Sequence, residues 1–206
     1  VTPGGFAPAA VLAAALAARH AAQLLLTRGG ARGARSGLVS TGLLFVCYVS
    51  AMALALWRLA RGGAPVGAVA AGAGTWLAAV ALRMWALAHL RGQFSSFIEI
   101  REGHRLVTSG PYAFVRHPLH LAFGLEVAAF GLLAWAPEAA VPAVAVWAVI
   151  LVRNRTEEAV LAGHFGAAYE SYRSRVPALL PGRALLRLLG GTKRADPPQE
   201  THLPGR

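Results

Sequence analysis

Between His104 and His120 the chain reads H-R-L-V-T-S-G-P-Y-A-F-V-R-H-P-L-H, and further along it carries the pair Glu157-Glu158. His104, Arg105, Tyr112, Arg116, His117 and His120 gather imidazole, guanidinium and phenol groups into one short polar segment. Gly110-Pro111 predicts a turn, because proline fixes its own backbone and glycine tolerates unusual angles. Pro118 suits the first turn of a helix. Arg116 and His117 are therefore expected at a helix start, where free backbone N–H groups and the helix dipole favour an anionic group. Such a set fits a ligand bearing a carboxylate or phosphate; the same side chains would also serve as headgroup anchors at a membrane edge. Glu157 and Glu158 need arginine partners or a cationic ligand, since a desolvated charge must be paired. Arg153 and Arg155 are the partners nearest in sequence. Leu161, Phe165, Tyr169 and Tyr172 recur at spacings of four, four and three, which predicts one face of a helix.

The elements that position these groups are apolar. Of 206 residues, 56% are hydrophobic and 14% charged, against about a quarter charged in a soluble domain, and the mean hydropathy is +0.50. Runs of roughly 20 apolar residues are long enough to cross a ~30 Å hydrocarbon core. Five spans are expected: about Phe6–Leu26, Leu38–Leu59, Val66–Leu90, a short one at Leu119–Trp135, and Val141–Val152. Ala136-Pro137-Glu138 closes the last two into a hairpin, and the fifth is short unless its helix continues through Arg153 and Arg155. The first run is expected to be a span and not a signal peptide, being too long and lacking a basic start or a clear cleavage site. The net charge of +11 is read as membrane anchoring and contact with anionic lipid, not nucleic-acid binding, because the arginines flank apolar runs. Arg28, Arg32, Arg35, Arg91, Arg101, Arg105, Arg116 and the tail from Arg153 fall on one side of a five-span chain. The positive-inside rule makes that side cytoplasmic, with the amino terminus outside; Arg58 and Arg61 lie on the other side.

Gly67, Gly72 and Gly74 place the third span at the centre of the bundle, since small residues let membrane helices approach closely. The single cysteine, Cys47, excludes a disulfide framework and a cysteine-rich metal site, and no metal is assigned. The expected fold is all-α: a multi-pass membrane bundle with the active site at the cytoplasmic interface. Its parts are residues 1–63 carrying the first two spans, 64–182 carrying the core, and 183–206 as a flexible tail. No feature of the sequence addresses oligomeric state.

The two polar segments together resemble the isoprenylcysteine carboxyl methyltransferase family of membrane enzymes. The matching elements are His104-x-Leu106-Val107-Thr108-Ser109-Gly110-x-Tyr112, then Arg116-His117-Pro118, then Arg155-x-Glu157-Glu158. They continue through Phe165-Gly166, Tyr169, Tyr172 and Arg175-Val176-Pro177. The resemblance covers about Arg91 to Pro181, and the first two spans carry none of it. It implies a helical bundle, unrelated to soluble Rossmann methyltransferases, that uses S-adenosylmethionine and takes lipidic substrates sideways from the bilayer. Carried over residue by residue, His104, Leu106, Tyr112, His117 and Pro118 line the cofactor pocket, Glu158 closes it, and Arg116 and Glu157 support or orient the reacting groups.

The chain departs from the family in having His120 where a tyrosine is usual, two residues after the proline. Glu126, inside the fourth span, is a functional candidate because an ionisable residue there is expensive. Arg83 and His89 are its candidate partners, and a buried ion pair with Arg83 is the structural alternative to a substrate role. A carboxylate acceptor needs no base, whereas a phenol would need one such as His120 or Glu126. The acceptor is left as a prenylated carboxylate, a phenolic lipid or a lipid amine, with a slight lean toward a hydroxyl-bearing small lipid. A bacterial inner membrane is the expected setting. The competing readings are a phospholipid amine N-methyltransferase, a membrane reductase using NADPH, and a non-catalytic membrane protein.

Overall fold

The computed structural model describes residues 3–26, 37–62, 64–90, 93–98 and 105–179. Arg28, Arg32, Arg35, Arg91, Arg101 and the tail 183–206 lie outside these residues, as does His104. Among the described residues the α-helices are α1 (Pro3–Leu26), α2 (Leu38–Arg61), α3 (Val66–Leu90), α4 (Pro118–Ala134), α5 (Ala140–Phe165) and α6 (Ala167–Arg175). There is no β-strand among the described residues. Among the described residues four stretches are long and apolar enough to cross a membrane, namely Pro8–Leu26, Leu38–Arg61, Val66–Leu90 and Pro137–Phe165. The fourth span of the sequence reading is the shorter apolar helix α4, 17 residues long, or about 25 Å of axis. The chain is thus an all-α membrane bundle. The fifth helix does continue through Arg153 and Arg155, which gives it 26 residues.

α4 occupies the centre, not α3 as the glycines had suggested. It packs on α2, α3 and α5, and Val127, Ala129 and Phe130 on it are fully buried. Of the three glycines on α3, Gly72 alone makes a close approach. A Cβ there would meet Leu133 Cγ at 2.8 Å and the Ala129 carbonyl oxygen at 3.1 Å, whereas Gly67 and Gly74 face open space. α4 ends at Trp135, in the left-handed region at φ 47°. Arg58 Nε donates to the Ala134 carbonyl and Nη2 to that of Trp135, each at 3.2 Å. Those carbonyls belong to the last turn of a helix, which has no intrahelical donors left for them. Arg61 lies over the Trp57 ring at 4.3 Å. The two arginines that opposed the positive-inside pattern therefore have local tasks. Cys47 is partly buried against the apolar core.

The hairpin expected at Pro137 is present, with a 3-10 turn at Pro137–Ala139 between α4 and α5. One end of each long helix reaches a common cavity. Gln23 comes from the end of α1, Thr41 from the start of α2, Leu90 from the end of α3, His117 from the start of α4 and Glu157 from α5. This end-to-end alternation is what an up-and-down bundle requires.

Candidate functional site

Gly110-Pro111 forms the predicted turn, a 3-10 helix over Gly110–Ala113. Gly110 has φ +60°, and a Cβ on it would lie 2.3 Å from His89 Nε2, so the residue must be glycine. His89 packs there and its Nδ1 is 2.9 Å from the Trp85 carbonyl; it is not a partner of Glu126. The turn presents Tyr112, and Pro118 opens α4 with His117 as its N-cap. The backbone N–H groups of Arg116 and His117 are not free for an anion. They donate to the carbonyls of Pro177 and Ala178 at 2.9 and 3.0 Å. This pairing fastens the segment after α6 to the start of α4.

The cavity measures about 430 Å³ and is lined by Leu106, Tyr112, Arg116, His117, Pro118, His120 and Glu157. Of the ten residues assigned from sequence these seven are brought together, in a volume within the range of small-molecule sites. His104 is outside the described residues. Glu158 and Glu126 do not face the cavity.

Of the two carboxylates, Glu157 and not Glu158 reaches the cavity. Glu157 faces the cavity with 32% of its side chain exposed, its Oε2 3.9 Å from His117 Nδ1 and 3.8 Å from His120 Nε2. Glu158, 12% exposed, sits behind the site and accepts from Arg116 Nη2 at 2.6 Å, Arg116 Nε at 3.0 Å and His117 Nε2 at 3.1 Å. Arg173 Nε approaches its other oxygen at 3.6 Å. Arg116 also donates through Nη1 to the Arg173 carbonyl at 2.9 Å and to that of Val176. Most of the donors of Arg116 are committed to protein, linking α5 to α6 and the segment after it. The partners of Glu158 are thus Arg116, His117 and Arg173, not Arg153 or Arg155.

Arg153 does something the sequence did not reveal. Its guanidinium donates to Ser40 Oγ and Thr41 Oγ1 at 2.9 Å, to the Ser96 carbonyl at 2.7 Å and to His120 Nε2 at 3.2 Å. It ties α2, α4, α5 and the segment at 93–98 into one wall. His120 Nδ1 lies 2.6 Å from Asn154 Oδ1, which fixes the proton on Nδ1 and leaves Nε2 as an acceptor. The rings of His117 and His120 stack at 5.5 Å. Donor atoms of His117, His120 and Glu157 lie within 4.8 Å of one another, a grouping that could hold a metal ion. The Arg153 hydrogen bond places a cation against one of those nitrogens, which works against a second cation there.

Leu161, Phe165, Tyr169 and Tyr172 all line the cavity, but two helices carry them where the periodicity predicted one. The chain breaks at Gly166, φ +53°, between α5 and α6. Tyr172 Oη donates to the Tyr112 carbonyl at 2.7 Å. Tyr169 Oη is buried without a hydrogen-bond partner. Burial raises the Tyr112 phenol well above its ordinary range, with the Glu157 charge adding to it. Burial likewise raises Tyr169, helped by Glu158. Tyr172 is pushed up to about 12 by burial, opposed by Arg116. All three are protonated donors at neutral pH.

The cavity extends into the bundle beyond these groups. Phe45 of α2 lines it and is 66% exposed, so the cavity is open beside that helix. At its inner end stand Arg19 and Arg83, both bound to Glu126. Arg19 Nη2 donates to both Glu126 oxygens at 3.1 and 2.8 Å, and Arg83 Nε to Oε1 at 2.6 Å. Glu126 is 0% exposed. The expected pair with Arg83 is present. Its second arginine, Arg19, was missed, although the rule that singled out Glu126 applies to any ionisable residue within a span. In this arrangement the Glu126 carboxylate is the counterion of two guanidiniums and is not among the residues that line the cavity.

Residues 72–163 match the model of the isoprenylcysteine carboxyl methyltransferase (ICMT) family. A protein-S-isoprenylcysteine O-methyltransferase of Schizosaccharomyces pombe is 34% identical over 103 residues, 48% of this chain and 44% of its own length. Protein-S-isoprenylcysteine O-methyltransferase B of Arabidopsis thaliana is 35% identical over 103 residues, 48% of this chain and 52% of its own. The cobalt-zinc-cadmium resistance protein CzcN of Cupriavidus metallidurans is 36% identical over 108 residues, 51% of this chain and 45% of its own. The chain spans about half the length of the curated relatives it matches. The resemblance to this family read from the motifs is borne out over residues 72–163. The family match begins at Gly72, inside α3, earlier than the motifs had suggested, and stops before Tyr169 and Tyr172.

Proposed function

We infer, from its resemblance to the isoprenylcysteine carboxyl methyltransferase family, that this chain is a membrane enzyme transferring a methyl group from S-adenosylmethionine to a lipidic acceptor. The observation that carries the reading is one cavity with two characters. Tyr112, His117, His120, Glu157 and the unpartnered Tyr169 Oη give it a polar end, and Phe45 marks an opening beside α2. These residues fit the cofactor: Glu157 offers a carboxylate to its cationic half, Tyr169 an unused phenolic donor, and Leu106 with Pro118 an apolar wall. The bound cofactor supplies an electrophilic methyl carbon on a sulfonium.

The protein's contribution is alignment, which alone lowers such a barrier by several kcal/mol. Glu158 holds Arg116 and His117 in place, and Arg116 in turn holds α6 over the cavity through the Arg173 and Val176 carbonyls. For a hydroxyl acceptor, His120 Nε2 becomes a base only if Arg153, whose Nε–H it accepts, is displaced from it. A carboxylate acceptor would need no base. The cavity end of the bundle is placed on the cytoplasmic side, where the arginine-rich connections of the sequence fall.

Titration of the detergent-purified protein with S-adenosylmethionine and separately with NADPH tests the cofactor. Transfer of labelled methyl to S-farnesylcysteine and to dodecylphenol tests the acceptor. Binding of S-adenosylmethionine alone and labelling of at least one acceptor are expected. Binding of NADPH without S-adenosylmethionine would replace the methyltransferase with a reductase.

A further inference from the structure

Arg19, Arg83 and Glu126 leave a charge uncompensated. Two guanidiniums, which stay protonated in proteins, share one carboxylate, and among the described residues no other acidic group pairs with either. Both arginines are buried. Arg19 Nε and Arg83 Nη2 have no hydrogen-bond partner, nor does Gln23 Oε1 beside them. All three side chains line the cavity. A net cation with unused N–H groups inside an apolar bundle is costly, and among the described residues no group removes that cost. The adjoining rings, Tyr48 5.7 Å from Arg19 and Phe123 5.6 Å from Arg83, give it only partial relief.

We propose that this inner end of the cavity is an anion subsite: Arg19 and Arg83, held by Glu126, take a carboxylate of the lipidic ligand. The assignment rests on the reading of the cavity as a lipid-substrate site. Glu126 lies six residues beyond His120 on α4, about 9 Å along the helix axis. The subsite is therefore separate from the place beside Glu157 and His120 where methyl transfer is assigned. The ligand it selects is an acidic amphiphile that anchors by its carboxylate and presents its acceptor group nearer the polar end. Glu126 has a graded task here: it neutralises one arginine, so that the site binds a single negative charge.

The test uses the full chain in phosphatidylcholine nanodiscs, with dodecanoate and dodecanol as probes and tryptophan fluorescence as the readout. Wild type is expected to bind dodecanoate about tenfold more tightly than dodecanol, a difference of about 1.4 kcal/mol. Arg19→Gln should abolish that preference. Glu126→Gln should strengthen dodecanoate binding several-fold, a direction that a merely structural carboxylate would not produce. Equal affinity of wild type for the two probes overturns the subsite even if neither variant folds. Loss of dodecanoate binding when phosphatidylglycerol is added to the nanodiscs would give the site to a lipid headgroup and overturn the substrate assignment. Methyl transfer to dodecanoate itself would overturn the separation of anchor from acceptor. Binding of S-adenosylmethionine, measured on the same samples, reports on the methyltransferase reading independently.

Discussion

Replacing Glu158 by glutamine separates the two adjacent carboxylates. Glu158 accepts two hydrogen bonds from Arg116 and one from His117. Hydrogen bonds to charged groups contribute about 1.5–3 kcal/mol each. All three bonds end on Oε1 and only Arg173 approaches Oε2, so glutamine keeps the three acceptor contacts but strips them of the negative charge, and its N–H2 faces the Arg173 guanidinium. The side chain is largely but not wholly buried and its acceptor oxygen is kept, which puts the net loss at about 2 kcal/mol, below the ~3–5 kcal/mol of breaking a fully buried pair. In a chain of this length that corresponds to a Tm fall of about 4–8 °C. Because Arg116 then loosens its hold on the segment after α6, affinity for S-adenosylmethionine should fall about 30-fold, the equivalent of 2 kcal/mol. Glu157→Gln should behave differently. Its contacts at 3.8 and 3.9 Å are long and its side chain is one-third exposed, so Tm should hold while cofactor affinity or turnover drops. Thermal unfolding in detergent and calorimetric titration on both variants supply the comparison. An unchanged Tm and affinity in Glu158→Gln, or equal Tm losses in the two variants, would refute the division of labour.

Gly110→Ala should lower Tm markedly and reduce cofactor affinity, since the new methyl must displace His89 at a backbone angle that alanine disfavours; His89→Ala in the same chain should recover part of the loss. The raised Tyr172 phenol stabilises the fold fully below pH ~10, the ordinary phenol range. That contribution is lost as pH rises from there toward about 12, so alkaline unfolding should be shallower in Tyr172→Phe. Arg58→Met removes donors from the Ala134 and Trp135 carbonyls; it should cost about 1–2 kcal/mol of stability and leave cofactor affinity unchanged. Tags at residue 33 and at the carboxyl-terminal end should both report the cytoplasmic side, and opposite answers would end the up-and-down assignment.

The bundle was legible wherever length and apolarity decide the outcome: the spans, the hairpin at Pro137, the shortness of α4. The polar strip from Leu106 to His120 was legible because turn chemistry and a proline-opened helix leave few arrangements for it. The division between Glu157 and Glu158 was not, because adjacent helix residues point about 100° apart and sequence does not say which direction is inward. Arg19 and Arg153 escaped for a related reason. Each stands in or at the end of an apolar run, and its partners lie 107 residues away in one case and 112 and 113 in the other. Such partners are chosen by packing, not by local pattern. The central helix was misplaced because glycine content was taken for close packing, and only Gly72 uses its glycine that way.

The ion triad also bears on how the chain is made. Arg19 belongs to the first helix, and its counterion is synthesised 107 residues later. At ~5–20 residues per second, that is a wait of about 5–20 s. Throughout it the leading helix carries a guanidinium with no acidic partner, so the nascent bundle has a reason to remain with the insertion machinery until α4 emerges. Glu126 then draws in α1 and α3 together, making the arrival of one carboxylate the event that commits separate helices to a single assembly. Variants at Glu126 are accordingly expected to fail first as nascent chains, before any finished protein can be assayed for loss of stability.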